Sequence, residues 1–597
     1  MIINSSPQYT QKAWSLDDLF PAIGSEAIDS ALVEINTLIT SFEADQATLN
    51  ENISATDFKE MLDCYEHITR QIKRLGGFAS LSFAENTQDQ HAQNFMAHIN
   101  QLYAESYNRI LFFELWWKAV SEETVARLLP TSGDYLYWLE SLRREVPHTL
   151  SEAEEQIINL KNVNGRSALN QLYDSITNRY TFSLEVDDEI KTLTRGELTT
   201  YFYASEPTQR EAAYKELNRV YAQDSSILGQ IYQSLVRDWR SENLDLRNFD
   251  TPNSVRNLQN DIPDEVVDTL LTVVRDNKNI IQRYFKLKAK WLNVDKLRRY
   301  DIYAPLLSSQ QTYEFSEAAT IVLQSFQEFD PQLAQLAERV FNDNHLDSEV
   351  RSGKRSGAFC STPVPDLTPW ILQSYQGKVE NVTTLAHELG HAIHSMLAQH
   401  HNSLTHHPSL PLAETASNFA EMLLVDRLLQ DADKETQRSL MFDEVEKGFK
   451  SIIRQSYFAL FERDAHEAIH NGASVDEISA LYLENLKEQF GDAVDVSDDF
   501  QYEWLAIPHI YKYPFYVYAY AFGHLLVLAL YEQYQQEEEP FKARYLEILA
   551  AGGSEAPVKI LAKASIDIYA ADFWQGGFDV LAKRLDELEK MTIKPIM

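Results

Sequence analysis

The sequence predicts a mainly α-helical protein, on three observations. Apolar residues recur at spacings of three and four through most of the chain, the period of one helix face. Stretches with strand character are few and short. The composition, 44% apolar and 24% charged with 29 Phe, 30 Tyr and 9 Trp, is that of a packed globular protein. At 597 residues the chain is several times the usual domain size and is expected to fold as coupled lobes.

Taken in chain order, residues 151–171 and 211–239 each carry a helical stripe. Between them, residues 180–186 (YTFSLEV) and 191–194 read as short strands, and a boundary is drawn just beyond, separating 1–200 from 201–597. Residues 299–304 (RYDIYA) are strand-like. In residues 356–377 (SGAFCSTPVPDLTPWILQSYQG), two β-prone runs at 357–361 and 370–375 flank a Pro-rich turn, which reads as a hairpin preceding a helix. Residues 515–531 (FYVYAYAFGHLLVLALY) are apolar but slightly short for a membrane span. They contain four Tyr, Gly523 and His524, so a buried helix is expected.

The charge balance excludes some partners. Lys and Arg number 53 against 89 Asp and Glu, a net −36 that repels nucleic-acid phosphates and anionic lipid, so neither nucleic acid nor membrane is expected as a partner. The acidity itself is read as a solvated surface. Two cysteines, Cys64 and Cys360, provide no disulfide framework, and the start, MIINSSPQYTQKAWSLDDLF, lacks a signal-peptide pattern; both readings suit the cytoplasm. Oligomeric state is not legible.

The chemistry concentrates at residues 381–394 (NVTTLAHELGHAIH), where His-Glu-x-x-His occupies 387–391 with Asn381 and Thr383 as candidate N-caps. On a helix, His387 and His391 lie about 40° apart and one turn apart, so both imidazoles can reach one zinc ion. Glu388, roughly a quarter-turn away, is placed to act on a water instead of ligating. His394 is too far along the axis from His387 to share the ion and is read as supporting or packing. The spacing downstream also lacks the Gly and third His of metzincins. A second helical stretch, residues 412–424 (LAETASNFAEMLL), carries Glu414 and Glu421 on one face with Asn418. Glu414 is the expected third ligand in preference to the loop histidines 400, 401, 406 and 407, while Glu421 and Asn418 are expected to orient the histidines.

HELGHAIH followed by ETASNFAE resembles the thimet oligopeptidase and oligoendopeptidase F family of zinc metallopeptidases, most closely oligoendopeptidase F. RSGAFCS at 355–361, YDIYAPL at 300–306, residues 369–394 and PHIYKYPFYVYAYAFG at 508–523 extend the likeness over much of residues 200–580. The resemblance implies a mainly α, two-lobed, clam-like metallopeptidase with a deep substrate channel and a small β element beside the HExxH helix. Residues 1–200 would form an N-terminal helical lobe and 201–597 the catalytic domain. It implies one Zn2+ on His387, His391 and Glu414, with Glu388 as general base. It gives His509 and Tyr516 the roles of binding substrate and stabilising the oxyanion, although Tyr511, Tyr513, Tyr518 and Tyr520 lie close by. The strand edge at 357–359 is expected to hold peptide backbone. The expected activity is hydrolysis of internal bonds in short peptides. A carboxy-terminal exopeptidase of the same zinc class and a non-catalytic peptide-binding protein are the alternatives.

Overall fold

The helix Ala55–Glu85 shows how sequence becomes structure here. Phe58, Met61, Leu62, Tyr65, Ile68, Ile72, Leu75, Phe78 and Ala79 recur every three or four residues, and all are buried. The Ser54 hydroxyl accepts the Asp57 amide and caps its start. The computed structural model describes residues 9–306 and 311–591, and it is mainly helical, as the periodicity predicts.

The backbone divides into two compact units, each discontinuous in sequence. The first comprises Met1–Val146, Gln310–Asp433 and Gln533–Asp567. Its core gathers the aromatic residues of the N-terminal helices with Trp370 and Leu372 from a small sheet. In that sheet Trp370–Leu372 is central. It pairs antiparallel with Phe359–Ser361, the hairpin expected from sequence, and parallel with Leu346–Asp347, a two-residue strand too short to carry a sequence signal. The Trp370 indole donates to the Ser15 carbonyl (2.8 Å), which ties the sheet to the N-terminal segment.

The helix Val379–Leu397 follows this sheet. It starts earlier than the expected caps: Asn381 lies in its first turn, and its Oδ1 accepts the amides of Gln376 (2.9 Å) and Lys378 (3.2 Å). Thr383 donates to the Glu380 carbonyl (3.0 Å) and caps nothing. Val382, Leu385, Leu389, Ile393 and Met396 face the core, each contributing on the order of 1.5–3 kcal/mol by burial. The helix packs against Thr415–Asp431 with Gly390 at the contact. A Cβ there would come within 2.7 Å of the Ala416 carbonyl oxygen and the Ser417 Cα, so only glycine permits the approach.

The second unit comprises Pro147–Ser309, Lys434–Glu532 and Ile568–Met597. The boundary drawn at residue 200 falls inside it. The hairpin Phe182–Val186 and Glu189–Leu193 is present, closed by Asp187 and Asp188 at φ 55° and 63°, the positive values a two-residue type I′ turn needs. It packs on Pro207–Gln223 of the same unit. Both long helical expectations are interrupted. Residues 151–171 split at Gly165 into Glu152–Asn164 and Arg166–Thr177, and residues 211–239 split at Asp224 into Pro207–Gln223 and Ser225–Arg240. The strand expected at 299–304 is absent. Arg299–Asp301 is a single 3-10 turn, because Asp301 is held by Arg210 (2.9 Å) and Arg298 (2.8 Å). Only Leu297–Arg298 is extended, pairing with Val494–Asp495. The apolar run at 515–531 enters the helix Tyr518–Glu537, which is buried along most of its length. No described helix is long and apolar enough to cross a membrane.

Candidate metal centre

Helical spacing sets His387 and His391 on one face of Val379–Leu397, with ring centroids 4.9 Å apart. Glu414 is the N-cap of Thr415–Asp431, one position before the helix it was expected to lie in. Its Oε2 lies 3.4 Å from His387 Nε2 and 3.5 Å from His391 Nε2. Three donors on a tetrahedral zinc at about 2.0–2.1 Å stand about 3.3 Å from one another, so this spacing fits one ion. Among the described residues, His387, His391 and Glu414 are the only group of three or more His, Cys, Asp or Glu side chains so converged.

The far side of each donor is held. His387 Nδ1 donates to Glu421 Oε1 (2.6 Å), leaving the Nε2 lone pair for the centre. His391 donates to the Ala413 backbone carbonyl. The Ser417 hydroxyl donates to Glu414 Oε2 (2.7 Å). Ser417 and the Ala413 carbonyl were not read from sequence. A backbone carbonyl carries no residue signal, and Ser417 reads as an ordinary small helix residue. Gly390 carried the one usable cue, since glycine inside a helix costs about 1 kcal/mol and needs a packing reason. Asn418 lies in the first turn, its backbone N–H donating to the Glu414 carbonyl (3.1 Å).

The electrostatics separate the two acids and the two histidines. Burial, with the charges of Glu414 and Glu421 against the opposing pull of His387, pushes Glu388 up to about 7, the range of a working base. Burial opposes a charge on His387, but Glu421, Glu414 and Glu388 outweigh it and raise its pKa. Burial lowers His391, which keeps it neutral. His394 is buried, and burial beside His391 holds it down to about 3. Two loop histidines are engaged elsewhere: His401 with the Ala550 carbonyl (3.0 Å) and His406 with the Ser395 carbonyl (2.8 Å). A cleft of about 400 Å3 opens between the Phe359–Ser361 edge strand and the helix, and Glu388, His387, His391 and Glu414 line it. Such a site can bind a divalent ion and move a proton next to it.

His509 and Tyr516 belong to the second unit. Pro508 opens the short helix Pro508–Lys512, which carries His509, and burial with Arg454 and Lys512 lowers its pKa. Tyr516 packs edge-to-face on Tyr520 (5.4 Å), with the Arg256 guanidinium 5.8 Å from its ring. The neighbouring tyrosines sort by burial. Tyr511 and Tyr518 are core residues, and Tyr518 accepts a hydrogen bond from Asn260, whereas Tyr513, Tyr516 and Tyr520 reach solvent. Phe515 takes φ +57°, and its amide donates to Glu462 Oε1 (3.0 Å). Glu462 is fully buried with no partner on Oε2 among the described residues, and burial pushes it up to about 8.

The profile of peptidase family M3 matches residues 200–580, the span that holds all of these residues. The chain belongs to peptidase family M3. A second profile, oligopeptidase F, matches residues 116–182. This M3 peptidase is 28% identical to group B oligopeptidase PepB of Streptococcus agalactiae over 594 residues, 98% of the chain and 97% of the relative. It is 26% identical to oligopeptidase PepF of Bacillus subtilis, covering 98% of the chain and 88% of the relative. Its fold matches the crystal structure of oligoendopeptidase-F from Enterococcus faecium with a TM-score of 0.69 at 22% identity, over 95% of the chain and 98% of that structure. A Chlamydophila abortus structure matches with a TM-score of 0.88 at 24% identity, over 96% and 97%.

Proposed function

We propose that this M3 peptidase is a zinc-dependent endopeptidase that hydrolyses internal bonds of short peptides, with His387, His391 and Glu414 as ligands and Glu388 as general base. The convergence of two imidazole Nε2 atoms on one Glu414 oxygen, next to a buried acid held near neutrality, carries the reading. Zinc bound there supplies Lewis acidity towards a peptide carbonyl and an attacking water. Glu388 takes the proton from that water and returns it to the leaving amine. Glu421 fixes the His387 tautomer, and Ser417 fixes Glu414. Among the described residues the Phe359–Ser361 strand has one unpaired edge beside the cleft, so peptide backbone binds by strand addition, with Gly357, at φ +86°, turning the chain into that strand. His509 and Tyr516 take the family roles of holding substrate and stabilising the oxyanion. The unbridged Cys64 and Cys360 suit a cytoplasmic enzyme.

Mass-spectrometric mapping of products from a doubly blocked peptide of about ten residues, with and without chelator, tests this reading. Internal cuts abolished by chelation are expected. No cut in the blocked peptide, with carboxy-terminal residues released from the matching unblocked one, would establish the exopeptidase alternative, and chelator-resistant cleavage would remove zinc from the mechanism.

A further inference from the structure

The cleft that holds the proposed zinc ligands continues past them. One turn beyond His391 on the same helix, about 5 Å along its axis, His394 and Ser395 line it. Thr362, just after the edge strand, and His407 and Pro408, from the loop after the helix, complete this wall. His394 is 4% exposed, and its ring makes no hydrogen bond or ion pair among the described residues. The Thr362 hydroxyl donates to Ser395 Oγ (2.9 Å), while the proton of the Ser395 hydroxyl has no acceptor among the described residues. A buried polar group left unpaired costs roughly 1–3 kcal/mol, so a buried, unpaired imidazole on the wall of a cleft calls for a ligand group.

The wall is held firmly from behind. His406 Nε2 donates to the Ser395 carbonyl (2.8 Å), one of the last carbonyls of the helix, which find no partner inside it. The Gly553 amide donates to the Thr405 carbonyl (2.9 Å), an approach that only glycine allows, because a Cβ there would collide with the His407 carbonyl oxygen. The His407 ring reaches back to donate to the Thr362 carbonyl and ties the loop to the strand end. All of these residues belong to the first unit. What the wall offers is uncharged: burial disfavours a charge on either imidazole, and Ser395 and Thr362 are hydroxyls. A neutral imidazole donates one hydrogen bond and accepts another, and a hydroxyl does both.

We propose that His394 and Ser395 form a subsite that selects peptides with an uncharged hydrogen-bonding side chain, a Gln or Asn carboxamide above all, at a residue flanking the cut bond. The proposal rests on the peptidase reading and adds a substrate class to the same site. An extended peptide advances about 3.3 Å per residue, so a wall about 5 Å from the metal ligands meets the residues on either side of the bond held there. A carboxamide answers the wall group for group. Its oxygen accepts from the Ser395 hydroxyl, and its NH2 donates to the bare imidazole nitrogen of His394. An apolar chain of the same length leaves both groups unpaired, and a charged one brings a charge that nothing on the wall neutralises.

A peptide blocked at both ends and cut at one bond tests it on the zinc-loaded full-length protein. Each of the two residues flanking that bond is varied in turn as Gln, as Met, which has nearly the same shape, as Glu and as Lys. At one of the two positions Gln is expected to raise kcat/KM at least about fivefold over Met, with Glu and Lys below Gln. Equal rates for Gln and Met at both positions, or a charged residue preferred to Gln at the responsive one, would overturn the subsite. In His394→Leu the Gln-to-Met ratio should fall towards one, and His394→Asn, which keeps a donor and an acceptor, should restore it in part. A ratio that survives in zinc-loaded His394→Leu overturns the proposal. If His394→Leu does not fold or hold zinc, Ser395→Ala, which removes only the hydroxyl, decides in its place: the ratio should fall, and an unchanged ratio overturns the subsite. If the protein cleaves none of the peptides, the peptidase reading fails. Calorimetric titration with the Gln and Met peptides then judges the subsite alone, tighter binding of the Gln peptide supporting it and equal or absent binding overturning it.

Discussion

The metal corner and the surroundings of Arg299 in the second unit are built in opposite ways. His387, Glu388 and His391 come from five consecutive residues of one helix, whereas Arg299 and Glu503, paired at 2.7 Å, lie 204 residues apart in sequence. The corner surrounds two histidines with the carboxylates of Glu388, Glu414 and Glu421. Around Arg299 one carboxylate meets a guanidinium whose Nε and Nη1 have no hydrogen-bond partner among the described residues. Groups of the corner are matched to one another and to one ion. Those around Arg299 are matched by the rings of Tyr214, Phe490 and Phe500, which its guanidinium overlies.

The sharpest way to break this comparison is at Glu388. Glu388→Gln keeps every proposed ligand, so zinc content by metal analysis should be unchanged while kcat falls by at least about a thousandfold. Near-wild-type turnover in the zinc-loaded variant would show that the corner is not arranged for base catalysis. A smaller effect is expected at Glu421, which touches the proposed metal only through His387. Glu421→Ala should weaken zinc binding by roughly 10- to 100-fold in a competitive chelator titration, and unchanged affinity would mean that the 2.6 Å contact does not hold the ring.

Two glycines contrast packing in the units. Gly390→Ala drives a methyl group against backbone at 2.7 Å and should cost about 2 kcal/mol in denaturant unfolding. Gly448→Ala meets only the tips of Leu581 at 3.1 Å and gains helix propensity, so it should lie within about 1 kcal/mol of wild type. Equal costs would show that the helix contact at Gly390 is no tighter than the other. The gentlest test, measured per pH unit, is at Glu462. Its native pKa of about 8 lies above the ordinary carboxylate range, so from about pH 5 to 8 the unfolded state has lost a proton that the native state keeps. Stability from this group therefore falls as pH rises through that window, by at most about 1.4 kcal/mol per unit. Glu462→Gln should unfold with a shallower pH dependence than wild type there, and parallel curves would refute the shift.

What could be read from sequence follows the same division. The zinc-site candidates were legible because helical geometry turns spacing into proximity, and the strands at 182–186, 359–361 and 370–372 because β-prone runs are bounded by turn residues. The breaks at Gly165 and Asp224 were missed because the apolar stripe continues across them. The 3-10 turn at Arg299–Asp301 was missed because Arg210, which holds Asp301, lies 91 residues away. Tyr303 was noticed only within a strand-like run and a resembling segment. Its buried hydroxyl, without a hydrogen-bond partner among the described residues, is a property of neighbours that no local pattern names.

The two discontinuous units also bear on how the chain is made. Cα packing assigns residues to the units in alternation, and the chain changes unit five times between its ends. The first unit cannot close until residues 533–567 exist, and the second still waits for the helix Ala571–Lys590. Neither unit can therefore be completed before its share of residues 533–590 has been made, and a chain shortened to end before residue 533 would leave both incomplete. For this architecture, no contiguous stretch of chain completes a unit, and each depends on segments made after residue 532.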